Sequence, residues 1–177
     1  MALVHLVPIC LPSQPLLLDQ VAAQIGRAFA ATVVVRPHRF DPELAFDSSR
    51  GQYHSTLLLE HLLGESTGSE ERILGIAGVD LFIPILTYVF GEAQLDGRAA
   101  VVSTYRLNNG LYGLPVDHRL LLDRLVKESV HELGHTVGLI HCHHPTCVMR
   151  SSTYVEDIDL KDAQFCSRCN QKAGRQI

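Results

Sequence analysis

The chain has 177 residues, enough for one domain with a proper hydrophobic core and too few for a multi-domain assembly. Hydrophobic residues make up 46% and charged residues 19%, which excludes a disordered or fibrous chain. A formal net charge of -4 without any run of Lys or Arg lacks the electrostatic footprint of a nucleic-acid or anionic-membrane binder, so neither is expected as a partner.

Leu3 to Cys10, rich in Leu, Val and Ile, reads as a first, buried strand in which Cys10 is simply packed. From Pro15 to Ala30, Leu18, Val21, Ala22, Ile25 and Phe29 recur at helical spacing beside Asp19, Gln20, Gln24 and Arg27, the pattern of an amphipathic helix. Thr32 to Val35 is a β-branched run stopped by Pro37; a loop containing Asp41 and Pro42 follows, and Tyr53 to Leu63 reads as a second helix ending at Gly64. Arg72 to Ala77, Ile85 to Phe90 and Arg98 to Arg106 read as strands whose connections are too short for helices, so antiparallel pairing within a mixed sheet is expected. Asp117 is the predicted N-cap of a long helix to Val137, with Leu122, Val126, Val130, Leu133 and Val137 packed on the sheet and Gly138 ending it. The fold class is therefore α+β, a mixed, partly antiparallel sheet with packed helices. Beyond Gly138 the periodicity fails and Cys, His, Pro, Ser and Thr dominate to about Tyr154, so something other than a core is expected to order this tail. Glu156 to Phe165 reads as one more helix leading into Cys166 and Cys169.

The segment that carries chemistry is His131-Glu132-Leu133-Gly134-His135-Thr136-Val137-Gly138-Leu139-Ile140-His141. On a helix, residues four apart lie about 40° apart around the axis and about 6 Å along it, so His131 and His135 can aim at one ion. Gly138 can take the left-handed conformation that turns the chain and brings His141 to the same point. Three imidazoles on a tetrahedral zinc leave one position open, where the pKa of water falls to roughly 7. Glu132, next to the first ligand, is placed to act as general base and then general acid. The bland alternative, two helical histidines satisfied by core hydrogen bonds, explains neither the glycine nor the third histidine.

Cys142, Cys147, Cys166 and Cys169 form a C-x4-C and a C-x-x-C pair, a structural zinc spacing, against which stand disulfides or buried free thiols. Disulfides are disfavoured because the N-terminus lacks a basic n-region and a small-residue cleavage site, and no stretch approaches the roughly 18 apolar residues of a membrane span. A soluble, cytoplasmic protein is expected. His143 and His144 are read as solvent-facing in preference to substitute zinc ligands. Met149 is either a residue beneath the three histidines or ordinary core filling, and Tyr154 is read as a surface tyrosine in preference to an oxyanion donor.

The full H-E-x-x-H-x-x-G-x-x-H at 131 to 141, the cysteine directly after His141, the C-x4-C-x-Met run ending at Met149 and Cys166-x-x-Cys169 together resemble the archaemetzincins of the metzincin clan. Tyr88 to Ala93 and Val101 to Leu107 also look similar, so the likeness covers roughly the last hundred residues. The resemblance implies a single zinc metallopeptidase domain. Its upper part, residues 1–138, would hold the sheet and active-site helix, and its lower part, 139–177, the third zinc ligand, the Met-turn at Met149 and a four-cysteine zinc. It further implies one catalytic and one structural zinc, action on a peptide or protein substrate, and substrate bound as an extra strand along a sheet edge, for which Ile85 to Glu92 is the candidate. A monomer is expected.

Two rivals have sequence features against them. A zinc-dependent endoribonuclease with H-x3-H-x5-H ligands needs no glutamate after the first histidine and calls for a basic groove that this composition lacks. A non-catalytic zinc-stabilised binding module would keep Glu132 beside a metal at a cost and to no purpose.

Overall fold

The computed structural model describes residues 3–12, 15–65, 68 and 71–174. In chain order the elements are β1 (Leu3–Ile9), α1 (Pro15–Phe29), β2 (Thr32–Val35), β3 (Phe46–Asp47), β4 (Gln52–His54), α2 (Ser55–Gly64), β5 (Glu71–Ala77), β6 (Leu81–Phe82), β7 (Gly91–Ala93), β8 (Ala99–Ser103), α3 (His118–Thr136), α4 (Val155–Asp159) and α5 (Ser167–Ala173). Short 3-10 turns occupy Pro42–Ala45 and Asn109–Tyr112. None of the described helices is long and apolar enough to cross a membrane.

The main sheet has the order β2-β1-β5-β8-β7. β2, β1, β5 and β8 are parallel and only the edge strand β7 is antiparallel, so the sheet is mixed as expected, but the β5–β8 pair is not antiparallel. The antiparallel pairing expected within the mixed sheet is that of β7 with β8, while β5 and β8 are parallel because residues 78–98 make the crossover without a helix: they dip into a small second sheet of order β3-β4-β6 and return as β7. Ile85 to Phe90 is not a strand. Pro84 withholds a ladder donor, Val89 makes only an isolated bridge to Leu81, and the carbonyls of Leu86 and Thr87 accept from the Arg50 guanidinium at 3.1 Å each. The free edge nearest the histidine motif is therefore β7. Tyr53 and His54 belong to β4 instead of opening the second helix, and Cys10 lies just past β1, exposed and at φ 47°, instead of packed within it.

Strand periodicity divides the core into two layers. Val4 and Leu6 of β1, Leu74 and Ile76 of β5, and Ala100 and Val102 of β8 face α1 and α3. Their neighbours Val7, Ile9, Ile73, Ala77, Ala99 and Val101 face α2. Gly75 is where α2 comes closest: a Cβ there would lie 2.9 Å from both Ile9 Cδ1 and Leu62 Cδ1. In α1 the apolar stripe Leu18, Val21, Ile25 and Phe29 is buried, each such side chain contributing about 1.5–3 kcal/mol.

The Asp117 carboxylate caps α3, accepting from the backbone N–H of Arg119 at 3.0 Å and Leu120 at 2.9 Å. The helix lies under β8 and β7 and is buried over most of its circumference, Arg124, Lys127 and Glu128 included. Gly138 at φ 74° ends it, and the Leu139 N–H closes back on the Gly134 carbonyl at 3.0 Å.

The tail departs from expectation. Val148, Met149, Val155, Ile158 and Ala173 are buried in the same core as α1 and α3, so the tail is packed and not ordered by other means alone. The last predicted helix shrinks to α4, and α5 follows separately. Two charged contacts fasten this region to α3. Arg124 binds Asp159 through two hydrogen bonds of 2.7 and 2.6 Å and donates to the Leu107 carbonyl. Lys161 Nζ, fully buried, lies 2.8 Å from Glu128 Oε1 and donates to the Arg150 carbonyl at 3.0 Å.

Candidate active site and metal centres

Helical spacing and the Gly138 turn bring His131, His135 and His141 together, with one ring nitrogen from each within 4.8 Å of the others. His131 is buried, His135 half-buried and His141 exposed, so the cluster opens to solvent on one side. Two backbone carbonyls set the rings. His131 Nδ1 lies 2.8 Å from the Val148 oxygen, and His135 Nδ1 lies 2.7 Å from the Leu139 oxygen. A carbonyl can only accept, so each Nδ1 carries the proton and each Nε2 presents a lone pair. Burial holds all three imidazoles below the usual histidine range, most strongly His131. Two neutral Nε2 atoms thus face each other at 3.2 Å with no proton between them. That is repulsive unless a cation sits there, and about 3.4 Å is the edge of a tetrahedron with Zn–N near 2.1 Å. The donor set fits zinc.

Glu132 lines the same cleft and is buried. Burial pushes its carboxyl well above the usual range, with Glu128 and Glu92 adding to the shift. A feature the sequence reading missed places it. A Cβ at Gly91 would fall 2.8 Å from both Cγ and Oε1 of Glu132 and 2.7 Å from the Val101 carbonyl, so only glycine in β7 lets the carboxylate lie against the strand. Below the helix, Met149 is fully buried, and a Cβ at Gly134 would meet its Sδ at 2.4 Å. Met149 therefore packs directly beneath the turn that carries His131 and His135.

The cleft runs along β7, with Gly91, Ala93 and Leu95 on its upper wall and the histidines and Ile140 below. At its other end, Tyr88 Oη donates to the Thr153 carbonyl at 2.9 Å, and the Arg106 guanidinium lies 4.0 Å over the Tyr88 ring. Arg106 is held in turn by two 2.6 Å hydrogen bonds to Asp80. Nothing in the local sequence signals these contacts, which join residues far apart in the chain. Tyr154 is exposed, as are His143 and His144.

Cys142, Cys147, Cys166 and Cys169 also bring their sulfurs within 4.8 Å of one another. None is in a disulfide, and Cys142 Sγ lies 3.8 Å from Cys166 Sγ, close to the roughly 3.8 Å edge of a tetrahedral Zn–S4 site. The Cys166 N–H points at Cys147 Sγ at 3.3 Å and the His144 N–H at Cys142 Sγ at 3.4 Å, as donors to thiolates do. The Cys166 thiol is lowered to about 7, chiefly by the Cys169 N–H, whereas burial pushes Cys147 and Cys169 up.

The family model for peptidase family M54 matches residues 35–175. An archaemetzincin of Haloquadratum walsbyi is 39% identical over 174 residues, covering 96% of this chain and 98% of the relative. The crystal structure of an archaemetzincin from Methanopyrus kandleri superposes with a TM-score of 0.85 at 36% identity, covering 99% of this chain and 94% of that one. That of a zinc-dependent peptidase from Methanocorpusculum labreanum does so with a TM-score of 0.82 at 28% identity, covering 96% and 99%. With a family model over most of its length and relatives matched end to end, the chain belongs to peptidase family M54, the archaemetzincin metallopeptidases.

Proposed function

We propose that His131, His135 and His141 hold one zinc ion at which peptide bonds are hydrolysed, and that Cys142, Cys147, Cys166 and Cys169 hold a second, structural zinc. The observation that carries the first site is the pair of unprotonated Nε2 atoms facing each other at 3.2 Å. A zinc ion bound there supplies Lewis acidity, lowering the pKa of water and polarising a carbonyl oxygen. The chain's own residues do the rest. The Val148 and Leu139 carbonyls fix the two rings in the tautomer that leaves Nε2 free. Glu132, braced against Gly91, takes a proton from water in the cleft and passes it to the leaving amine. The free edge of β7 positions the peptide backbone. The four sulfurs, two buried and two half-buried, suit a closed site without an exchangeable position.

Our reading takes residues 1–138 as an upper subdomain and 139–177 as a lower one, a division supported by the reversal at Gly138. It also takes the protein as a monomer, since one chain supplies both donor sets, and as cytoplasmic, which the five free cysteines support. The test is zinc content and peptide cleavage in the parent chain and in Glu132→Ala. About two zinc per chain are expected in both, with cleavage falling about 10²–10⁴-fold in the variant. Undiminished cleavage in the variant would remove Glu132 from its role, and zinc confined to the cysteines would remove the first site.

A further inference from the structure

A second cavity adjoins the cleft past the third histidine. It is lined by Leu139, Ile140, His141, Arg168 and Lys172, together with Cys142, Cys166 and Cys169 of the cysteine cluster. Ile140 and His141 also line the active-site cleft, so the two spaces meet at these residues. Arg168 and Lys172 are four residues apart on α5, which puts them on the same face. Both are exposed, and among the described residues neither side chain joins an ion pair or a hydrogen bond. No carboxylate lines the cavity, although the protein as a whole carries -4. A net-acidic chain has thus gathered two cations without a carboxylate partner in the cavity next to its cleft, beside the sulfurs of Cys142, Cys166 and Cys169.

Chain direction decides which half of a peptide reaches them. β7 runs from Gly91 towards Leu95 and Ile140, while the segment before it, Leu86 to Phe90, faces Ser152 to Tyr154. A peptide pairing antiparallel to β7 runs the opposite way, from Ile140 towards Tyr88. Its residues N-terminal to the scissile bond therefore lie beside Arg168 and Lys172.

We propose that this cavity is a specificity subsite for acidic side chains upstream of the scissile bond, so that the preferred substrates are peptides whose N-terminal half carries Asp or Glu. The assignment rests on the peptidase reading and deepens it. Leu139 and Ile140 supply an apolar floor for the side-chain stems, and the two cations meet the carboxylates at the rim, where charge selects partners and speeds encounter.

The test uses the full, zinc-loaded chain carrying Glu132→Ala, so that short fluorescent peptides stay uncut while their anisotropy is read. Two glutamates in the N-terminal half are expected to tighten binding about five- to tenfold over a neutral peptide, from two exposed charge pairs. The gain should shrink in about 1 M salt, and the same glutamates in the C-terminal half should give none. Arg168→Ser with Lys172→Ser should abolish the gain with bound zinc unchanged, and Arg168→Glu with Lys172→Glu should turn the preference towards lysine peptides. Equal binding of all peptides, a gain that survives the serine pair, or loss of zinc from that pair, which would assign both cations to the thiolates, overturns the proposal. Cleavage of the neutral peptide by the parent chain is measured alongside. Turnover without an acidic preference sinks this inference alone. An acidic preference that depends on Arg168 and Lys172, with no turnover of any peptide, upholds the subsite and sinks the peptidase reading.

Discussion

The three histidines and the four cysteines meet in the sequence at His141 and Cys142, yet they are held by different means. His131 and His135 sit on a 19-residue helix buried in the core, and their rings are aimed by carbonyls that the tail delivers. The cysteines all come from that tail, and their neighbours are its own backbone N–H groups. One cluster grades from buried to exposed and opens on a cleft, whereas the other alternates half-buried and buried positions. The two clusters are nevertheless linked through the tail. Cys147 immediately precedes Val148, whose carbonyl fixes His131, so order at the cysteines and geometry at the histidines support each other.

The comparison breaks most visibly if the cysteines are removed. Cys166→Ser with Cys169→Ser is expected to forfeit most of a structural zinc's folding free energy, about 10 kcal/mol or more. Hydrogen exchange should then lose protection over residues 139–173 while β1, β5 and β8 stay protected, and zinc at the histidines should weaken. Unchanged exchange in the tail would show that apolar packing alone holds it. Next in size is Lys161→Met, which leaves Glu128 buried without its partner and should cost about 3–5 kcal/mol by denaturant unfolding. Adding Glu128→Leu should restore most of that.

Two glycines sharpen the contrast between scaffold and chemistry. Gly134→Ala drives a methyl into Met149 and should cost about 1–3 kcal/mol of stability. Gly91→Ala displaces Glu132 from β7, so catalytic rate is expected to fall by more than the change in Tm suggests. The smallest effect is in pH. In the chelator-treated protein the histidines have folded pKa values below the ordinary 6.5. Above 6.5 both folded and unfolded states are neutral there. As pH falls through that value the unfolded chain takes up protons that the folded chain refuses, so stability declines. Thermal unfolding between pH 8 and 5, with and without zinc, measures it.

Local chemistry made the site legible in the sequence. Helical spacing sets His131 and His135 on one face, a left-handed glycine turns the chain for His141, and each cysteine pair is close along the chain, because each of these depends on residues a few positions apart. The same holds for α1, whose periodic apolar stripe matches its burial, and for β1, most of whose apolar residues are buried, whereas β2 is a strand as read but stands largely exposed. What lies between distant segments was not legible. Ile85 to Phe90 has strand-like composition but pairs only at its end, and the carbonyls of Leu86 and Thr87 go to the Arg50 side chain. The tail seemed poor in core residues because its apolar side chains follow no period, yet they pack into α1 and α3. The parallel β5–β8 pair, the Gly91 cradle for Glu132, the buried Lys161–Glu128 pair and the cations beside His141 all depend on which surfaces the fold presses together. A chain's own periodicity reports which face is apolar, but only tertiary packing chooses what meets it, since burial energy is indifferent to sequence distance.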